Sequence, residues 1–522
     1  MNERYDVAVI GAGFAGSLLA MIAQKFGLQV ILLERGRHPR MVIGESSTPL
    51  SNLLLEELAT RYDLPNLRPL SKWGSWRDTH PELACGLKRG FSFFRHDSAS
   101  DTIIHREDQL LVAASPHNGI ADTHWYRADF DAFLTAEAQR LGVTYLDEVE
   151  LREFARNERD TCLSGIHHGR SFNVSAQFVV DATGPRGFLH RALQLAEHEL
   201  PDFPATQALY SHFTGVLRLE ETPNIALDGR PPYPVDDAAI HHIFDDGWLW
   251  MLHFCNGVTS AGIVATAPLA EQLHLAEGQS AWDRMMHRAP ILGALFQNAK
   301  PVQPFRHIPR LGFRSAAIAG RNWALLPSAA GFVDPLLSTG FPLTLLGISR
   351  LAEIFARDWN TNRFESQLEQ YSARTDAELL ATARLIGALY ANMCDFQVFA
   401  ALTLLYFAAA SYSETVRRLG RPELAPSFLL HDRPVFGPEC ARVLDLARSD
   451  RSISSSDDLM DEILRVIEPI DVAGLCDRTR RNWYPVDADD LLRAADKIGA
   501  TRDEILRMLK RCGFNATASS QC

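Results

Sequence analysis

The first residues with the types and spacing for chemistry are glycines, in the run Gly11-Ala-Gly13-Phe14-Ala15-Gly16. An apolar stretch, 5–10 (YDVAVI), precedes them; a helical pattern over 17–26 follows, and a second apolar stretch, 29–33, ends at Glu34 and Arg35. Strand, glycine turn, helix and strand in this order suit a dinucleotide. The first glycine permits the tight turn, the second lets backbone approach a pyrophosphate, and the third lets helix and strand pack closely. The helix N-terminus offers unpaired N–H groups and a positive dipole end to the phosphates. Glu34 closes the second strand where a carboxylate can accept from a ribose hydroxyl.

Other chemistries find little to rest on. The eight cysteines form no CxxC pair, which argues against a zinc ribbon or a thioredoxin-type centre and points to a reduced, cytoplasmic setting. His241 and His242 are adjacent, and on a strand adjacent side chains leave opposite faces, so no metal is expected there. No Ser-His-Asp order and no Walker loop is present. With 52 basic and 64 acidic residues, the net charge of −12 argues against a nucleic-acid binder. The N-terminus turns apolar and glycine-rich without the basic region and small-residue cleavage site expected of a signal peptide.

The elements that must position these residues can be read coarsely. A short strand over 176–180 runs into Asp181-Ala-Thr-Gly184. Another over 322–326 runs into Pro327-Ser328-Ala-Ala-Gly-Phe-Val-Asp334-Pro335, with a long helix over 341–359. Short alternating segments through 200–315 suggest a mostly antiparallel sheet. The expectation is an α/β nucleotide-binding domain of Rossmann type, interrupted by an inserted sheet domain and followed by a helical region. Its first part is 1–195, with a small substrate-side insert near 85–120; the sheet domain is 196–315, the return segment 316–355 and the helical region 356–522. In that last region 363–407 and 489–511 read as helical, strand signals vanish, 452–457 reads as a surface loop, and the tail after Phe514 frays. The apolar run 396–413 reads as a buried helix, with its part over 396–406 a candidate pocket lining, in preference to a membrane span.

Four segments together resemble the flavin-dependent halogenases, a branch of the FAD monooxygenases with a hydroxybenzoate-hydroxylase-like fold. They are Gly11–Gly16 with Glu34; Ile43-Gly-Glu45-Ser46-Ser-Thr-Pro49; Arg127-Ala-Asp-Phe130-Asp131 with Asp181 and Gly184; and Ala329-Ala-Gly-Phe-Val-Asp334-Pro335-Leu-Leu-Ser338-Thr339-Gly340. The resemblance implies bound FAD, used as FADH2, with O2 and chloride or bromide, in secondary metabolism such as antibiotic biosynthesis. Ser328, Asp334 and Gly340 would lie at the flavin, and the backbone of Thr339 and Gly340 at the halide. Glu45 either lies near the FAD or belongs to the cap of a helix begun at Pro49. Arg127 either reaches the flavin or is a surface arginine on a helix whose Phe130 and Leu134 share a face.

The resemblance also implies a mechanism, in which halide attacks a flavin hydroperoxide and the hypohalous acid formed meets a lysine. Lys88, in Lys88-Arg-Gly90-Phe-Ser-Phe93, holds the matching place; the bland alternative is a lysine on a solvated strand. Trp248 and Trp250, on one strand face with Leu252, match a bulky barrier between substrate and flavin, or are simply core aromatics. Three departures stand out: His253 where the family has proline, Pro327-Ser328 where it has Gly-Asp, and Leu337 where tryptophan halogenases carry a glutamate that serves indole as a base. The last argues for a phenol or pyrrole, free or on a carrier protein, over free tryptophan. With a single dinucleotide fingerprint, a separate flavin reductase must supply FADH2. Monomer and dimer are both open. A flavin monooxygenase or dehydrogenase without halide chemistry is the second reading, and a degenerate flavin-binding protein serving as an assembly or carrier-docking partner the third.

Overall fold

The computed structural model describes residues 4–96, 103–156, 160–222, 226–227, 229–449 and 455–514. Its nucleotide sheet is centred on strand Arg4–Ile10, flanked in parallel by Val30–Leu33 on one side and Arg170–Asp181 on the other. Ile10 is in register with both Leu33 and Asp181, so the carboxyl ends of three strands meet at the glycine turn. Thr144–Leu146 extends the sheet beyond Val30–Leu33, and Trp323–Leu325 extends it beyond Arg170–Asp181. All four central strand residues of Val30–Leu33 are buried, which is why the stretch reads as a continuous apolar run. Helix Phe14–Lys25 crosses between the first two strands and ends where Gly27 adopts φ +80°.

Among the described residues the larger sheet has nine strands. Thr206–Thr214, Val258–Thr266, Gly247–His253 and Ala239–Phe244 pair antiparallel in that spatial order. Gly90–Arg95 then joins in parallel and Gln109–Ala113 antiparallel. The segment expected as a separate insert near 85–120 therefore completes this sheet. Its first strand, Cys85–Lys88, stands apart, paired antiparallel with Asp122–Trp125 so that Lys88 faces Asp122 in register.

The helical region also departs from expectation. The stretch 363–407 is two helices, Phe364–Tyr390 and Phe396–Arg418, separated by a turn in which Asp395 caps the second. The stretch 489–511 divides into Ala488–Arg493, a 3-10 turn and Arg502–Arg511. Strand character does not vanish: Trp483–Tyr484 pairs in parallel with Gln109–Ala113 and closes the edge of the large sheet. Of the expected loop 452–457, Ser455 caps and Ser456 and Asp457 open helix Ser456–Ile467; residues 452–454 and the tail beyond Phe514 lie outside the described residues. Helix Phe396–Arg418 is long and apolar enough to cross a membrane, but its apolar window is 83% buried within the protein. Its Phe399 and Phe407 meet the rings of Phe93 and Phe91 in the large sheet.

Candidate active site

A cavity of about 870 Å³ opens where the two sheets meet. Its nucleotide end is built from Gly11, Gly13, Phe14, Ala15, Glu34 and Arg35, and its inner end from Ser328, Asp334, Thr339, Gly340, Trp248 and Trp250. Glu45, Ser46, Arg127 and Gly184 line the walls between. The glycines have the contacts that their spacing predicts. At Gly11, φ is +97° and a Cβ would lie 2.8 Å from the Ala182 carbonyl oxygen; at Gly16 it would lie 1.9 Å from the Gly11 carbonyl oxygen, so Gly16 serves packing and does not line the cavity. Helix Phe14–Lys25 has no side-chain cap at Gly13, which leaves its first-turn N–H groups without a side-chain acceptor.

Two carboxylates are held by the chain's own donors. Glu34 accepts from the Ala12 and Gly36 N–H groups at 2.9 and 2.8 Å and from Arg40 at 3.2 Å; Arg40 and the two amides hold its pKa low against the opposing effect of burial. Asp181 does not reach the cavity. It accepts from Thr183 N, Thr183 Oγ1 and Leu189 N and so shapes the loop whose Ala182, Thr183 and Gly184 form the wall. Arg127 is buried, forks onto Asp131 at 2.7 and 2.8 Å, and donates to the Gly44 carbonyl at 2.8 Å, so it ties the 41–46 strap to helix Arg127–Arg140.

Glu45 lies on that strap, ahead of the cap. Thr48 caps helix Pro49–Arg61, accepting from Ser51 N, which frees Glu45 for another role. Its Oε1 is 2.7 Å from His212 Nε2, and the amide nitrogen of Gln303 is 2.6 Å from His212 Nδ1, so the ring carries its proton on Nε2 and donates to the carboxylate. Glu45 Oε2 is buried with no hydrogen-bond partner among the described residues. His212 and Gln303, 91 residues apart, carry no motif and were not legible in the sequence.

At the inner end, Trp248 Nε1 donates to the Tyr390 hydroxyl at 3.0 Å, and that hydroxyl donates to Asp334 Oδ2 at 2.9 Å. Leu336 N donates to Asp334 Oδ1, yet burial dominates and pushes the Asp334 carboxyl up to about 7. Trp250 Nε1 donates to Ser260 Oγ, and a Cβ at Gly262 would lie 2.2 Å from the Trp250 ring. His253, in place of a proline, is held by Thr259 Oγ1 at 3.0 Å. His241 lines the cavity and stacks on Phe93, while His242 turns to His96 at 2.7 Å.

Lys88 is fully buried and absent from the cavity lining. Its Nζ donates to Ser46 Oγ at 2.8 Å and to the Ser47 carbonyl at 2.5 Å and lies 3.6 Å from the Phe91 ring centre. Burial pushes its pKa down and that of its strand partner Asp122 up, each opposed by the other's charge. Asn52 donates to Asp122 at 2.8 Å. Metal-ligating atoms converge elsewhere among the described residues at Asp147, His167 and His168, where Arg37 already lies 3.4 Å from Asp147.

The family model for tryptophan halogenases matches residues 110–394, more than half of the chain. The chain belongs to the flavin-dependent halogenases. It is 26% identical over 412 residues to the monodechloroaminopyrrolnitrin halogenase PrnC of Pseudomonas fluorescens, covering 78% of this chain and 71% of that one. It is 28% identical over 360 residues to the tetracycline 7-halogenase of Kitasatospora aureofaciens, covering 67% and 63%. In fold it resembles the crystal structure of halogenase PltM in complex with phloroglucinol and FAD, with a TM-score of 0.79 and 23% identity over 91% of this chain and 99% of that one. As a halogenase of this family it is an enzyme whose chemistry requires flavin, halide and O2. The cavity fits a flavin dinucleotide on its own terms: an open helix start, glycines where a Cβ would collide, and a buried carboxylate oxygen left for a donor.

Proposed function

We propose that the chain halogenates an electron-rich aromatic ring, a phenol or a pyrrole, free or tethered to a carrier protein, and that Lys88 presents the halogen to it. The observation that carries this reading is Ser46, which lines the cavity and also accepts from Lys88 Nζ, so the ammonium stands one side chain behind the cavity wall. FAD bound in the cavity as FADH2, with O2 and chloride or bromide, supplies the electrophilic halogen.

The chain's own residues do the rest. Gly11, Gly13, the helix start at Phe14 and Ala15, and Gly184 hold the dinucleotide, with Glu34 and Arg35 at its ribose end. Arg127 fixes the strap that carries Glu45 and Ser46. Ser328, Asp334 and Gly340 bound the ring end, and the backbone at Thr339 and Gly340 receives the halide. Trp248 and Trp250 separate flavin from substrate. The Lys88 ammonium donates to the oxygen of hypohalous acid, which makes the halogen more electrophilic. Leu337 is fully buried and can accept no proton, which suits a ring activated by its own hydroxyl or nitrogen. A separate flavin reductase in the cytoplasm provides FADH2.

The test uses purified protein with FAD, a flavin reductase, NADH, O2 and bromide on a panel of phenols, pyrroles and indoles. The expected product carries bromine's isotope pair. Lys88→Met is expected to keep FAD binding and O2 uptake and to lose product. A wild-type product gaining one oxygen and no halogen would overturn the proposal.

A further inference from the structure

We propose that Cys255 and Cys85 form an oxidant-responsive thiol pair, in which hydrogen peroxide oxidises Cys255 and Cys85 closes the product into a disulfide. This goes beyond the reaction proposed above and does not depend on its substrate. The two residues are 170 apart in sequence, yet Cys255 N donates to the Cys85 carbonyl at 2.9 Å, which sets them side by side. Backbones touch here: a Cβ at the intervening Gly86 would lie 2.1 Å from the His253 carbonyl oxygen. Cys255 is exposed, in the turn after the tryptophan strand, and Cys85 is buried at the start of the lysine strand.

The roles follow from the surroundings. Arg77, on helix Trp73–Thr79, donates to the Cys255 sulfur at 3.5 Å; the adjacent Cys85, with the arginine's help, brings the Cys255 pKa down to about 5. Cys85 is pushed up by the adjacent Cys255 and by burial. The exposed residue is thus the thiolate and the buried one the thiol that resolves. The thiolate attacks one peroxide oxygen, the O–O bond breaks and hydroxide leaves, giving a sulfenic acid. Cys85 then loses its proton, attacks the sulfenic sulfur and displaces hydroxide. In sum, two thiols and one peroxide give one disulfide and two waters. Reduced flavin releases peroxide whenever it meets O2 without completing the halogenation. The link would fasten the strand that carries Lys88 to the turn that follows Trp248 and Trp250.

The holoenzyme is treated with a small excess of hydrogen peroxide in the absence of NADH. The expected result is a mass loss of about 2 Da, a Cys255–Cys85 cross-linked peptide on non-reducing digestion, and full reversal by dithiothreitol. Cys255→Ser abolishes the link, and Cys162→Ser leaves it. The rate stays flat between about pH 6.5 and about 8, where an ordinary thiol slows roughly tenfold per unit toward acid. A gain of about 32 Da at Cys255 with no link to Cys85, or a rate and pH slope equal to those of exposed Cys394, would overturn the proposal.

Discussion

Tyr390→Phe isolates one oxygen atom on which two buried groups depend. The hydroxyl accepts from Trp248 Nε1 and donates to Asp334 Oδ2, and all three residues are buried. The variant keeps the ring and removes the hydroxyl that donates to Asp334, leaving the carboxylate the Leu336 amide and the neighbouring Trp248 indole. A buried carboxylate one donor short costs about 1–3 kcal/mol where Asp334 is ionised. Below that it is smaller, because Asp334 can take up a proton. Burial already raises its carboxyl to about 7 from an ordinary value near 3.8, with the Tyr390 hydroxyl opposing the rise. A carboxyl whose folded pKa is raised contributes stability that is complete below the unfolded pKa and is lost as pH rises through the folded one. Without Tyr390's donor the folded pKa climbs further. The deficit of Tyr390→Phe is therefore expected to be modest near pH 5.5 and to grow above pH 7. Apparent melting temperatures at one fixed scan rate, for both proteins at the two pH values, read it directly. A deficit independent of pH, or larger in acid, would refute the reasoning.

Further expectations rest on other contacts. Asp122→Asn removes the charge that opposes burial at Lys88, so the alkaline limb of bromination against pH should move to lower pH; an upward shift would contradict the ammonium role. His212→Leu strips Glu45 of its donor and is expected to weaken FAD retention on gel filtration by about tenfold or more, equivalent to about 1.4 kcal/mol. Gly11→Ala places a Cβ 2.8 Å from a carbonyl oxygen at φ +97° and should reduce soluble yield and flavin content together. Unchanged flavin absorbance per protein in that variant would show that the turn is not under the constraint described.

The dinucleotide turn was legible because its cause is local. Gly11 and Gly16 meet backbone within their own strand–turn–helix unit or just after one neighbouring strand, and Glu34 sits at the end of the next strand. Glu45, Ser46 and Lys88 were found by resemblance, but their partners His212, Gln303 and Asp122 were not, since those contacts depend on how distant strands pack. Tyr390 was invisible for the same reason: it lies on a helix with no motif, yet its hydroxyl bonds both Trp248 and Asp334. Asp181 was misread in role because a family position shows where a carboxylate is, not which amides reach it first.

The pairing of Trp483–Tyr484 with Gln109–Ala113 bears on how this chain can be cut and grafted. The C-terminal region is no detachable appendage. Asn482 O accepts from Leu111 N, and Arg106 stacks over Trp483 at 4.2 Å, so a strand from the first quarter of the sequence waits for one from the last tenth. A truncation before residue 483 would uncover the apolar edge Gln-Leu-Leu-Val-Ala, a template for pairing with other chains. Chimeras that exchange the C-terminal helices between halogenases would keep their solubility only if the junction retains this short strand. During synthesis, the same edge stays bare until residues 483 and 484 have left the ribosome.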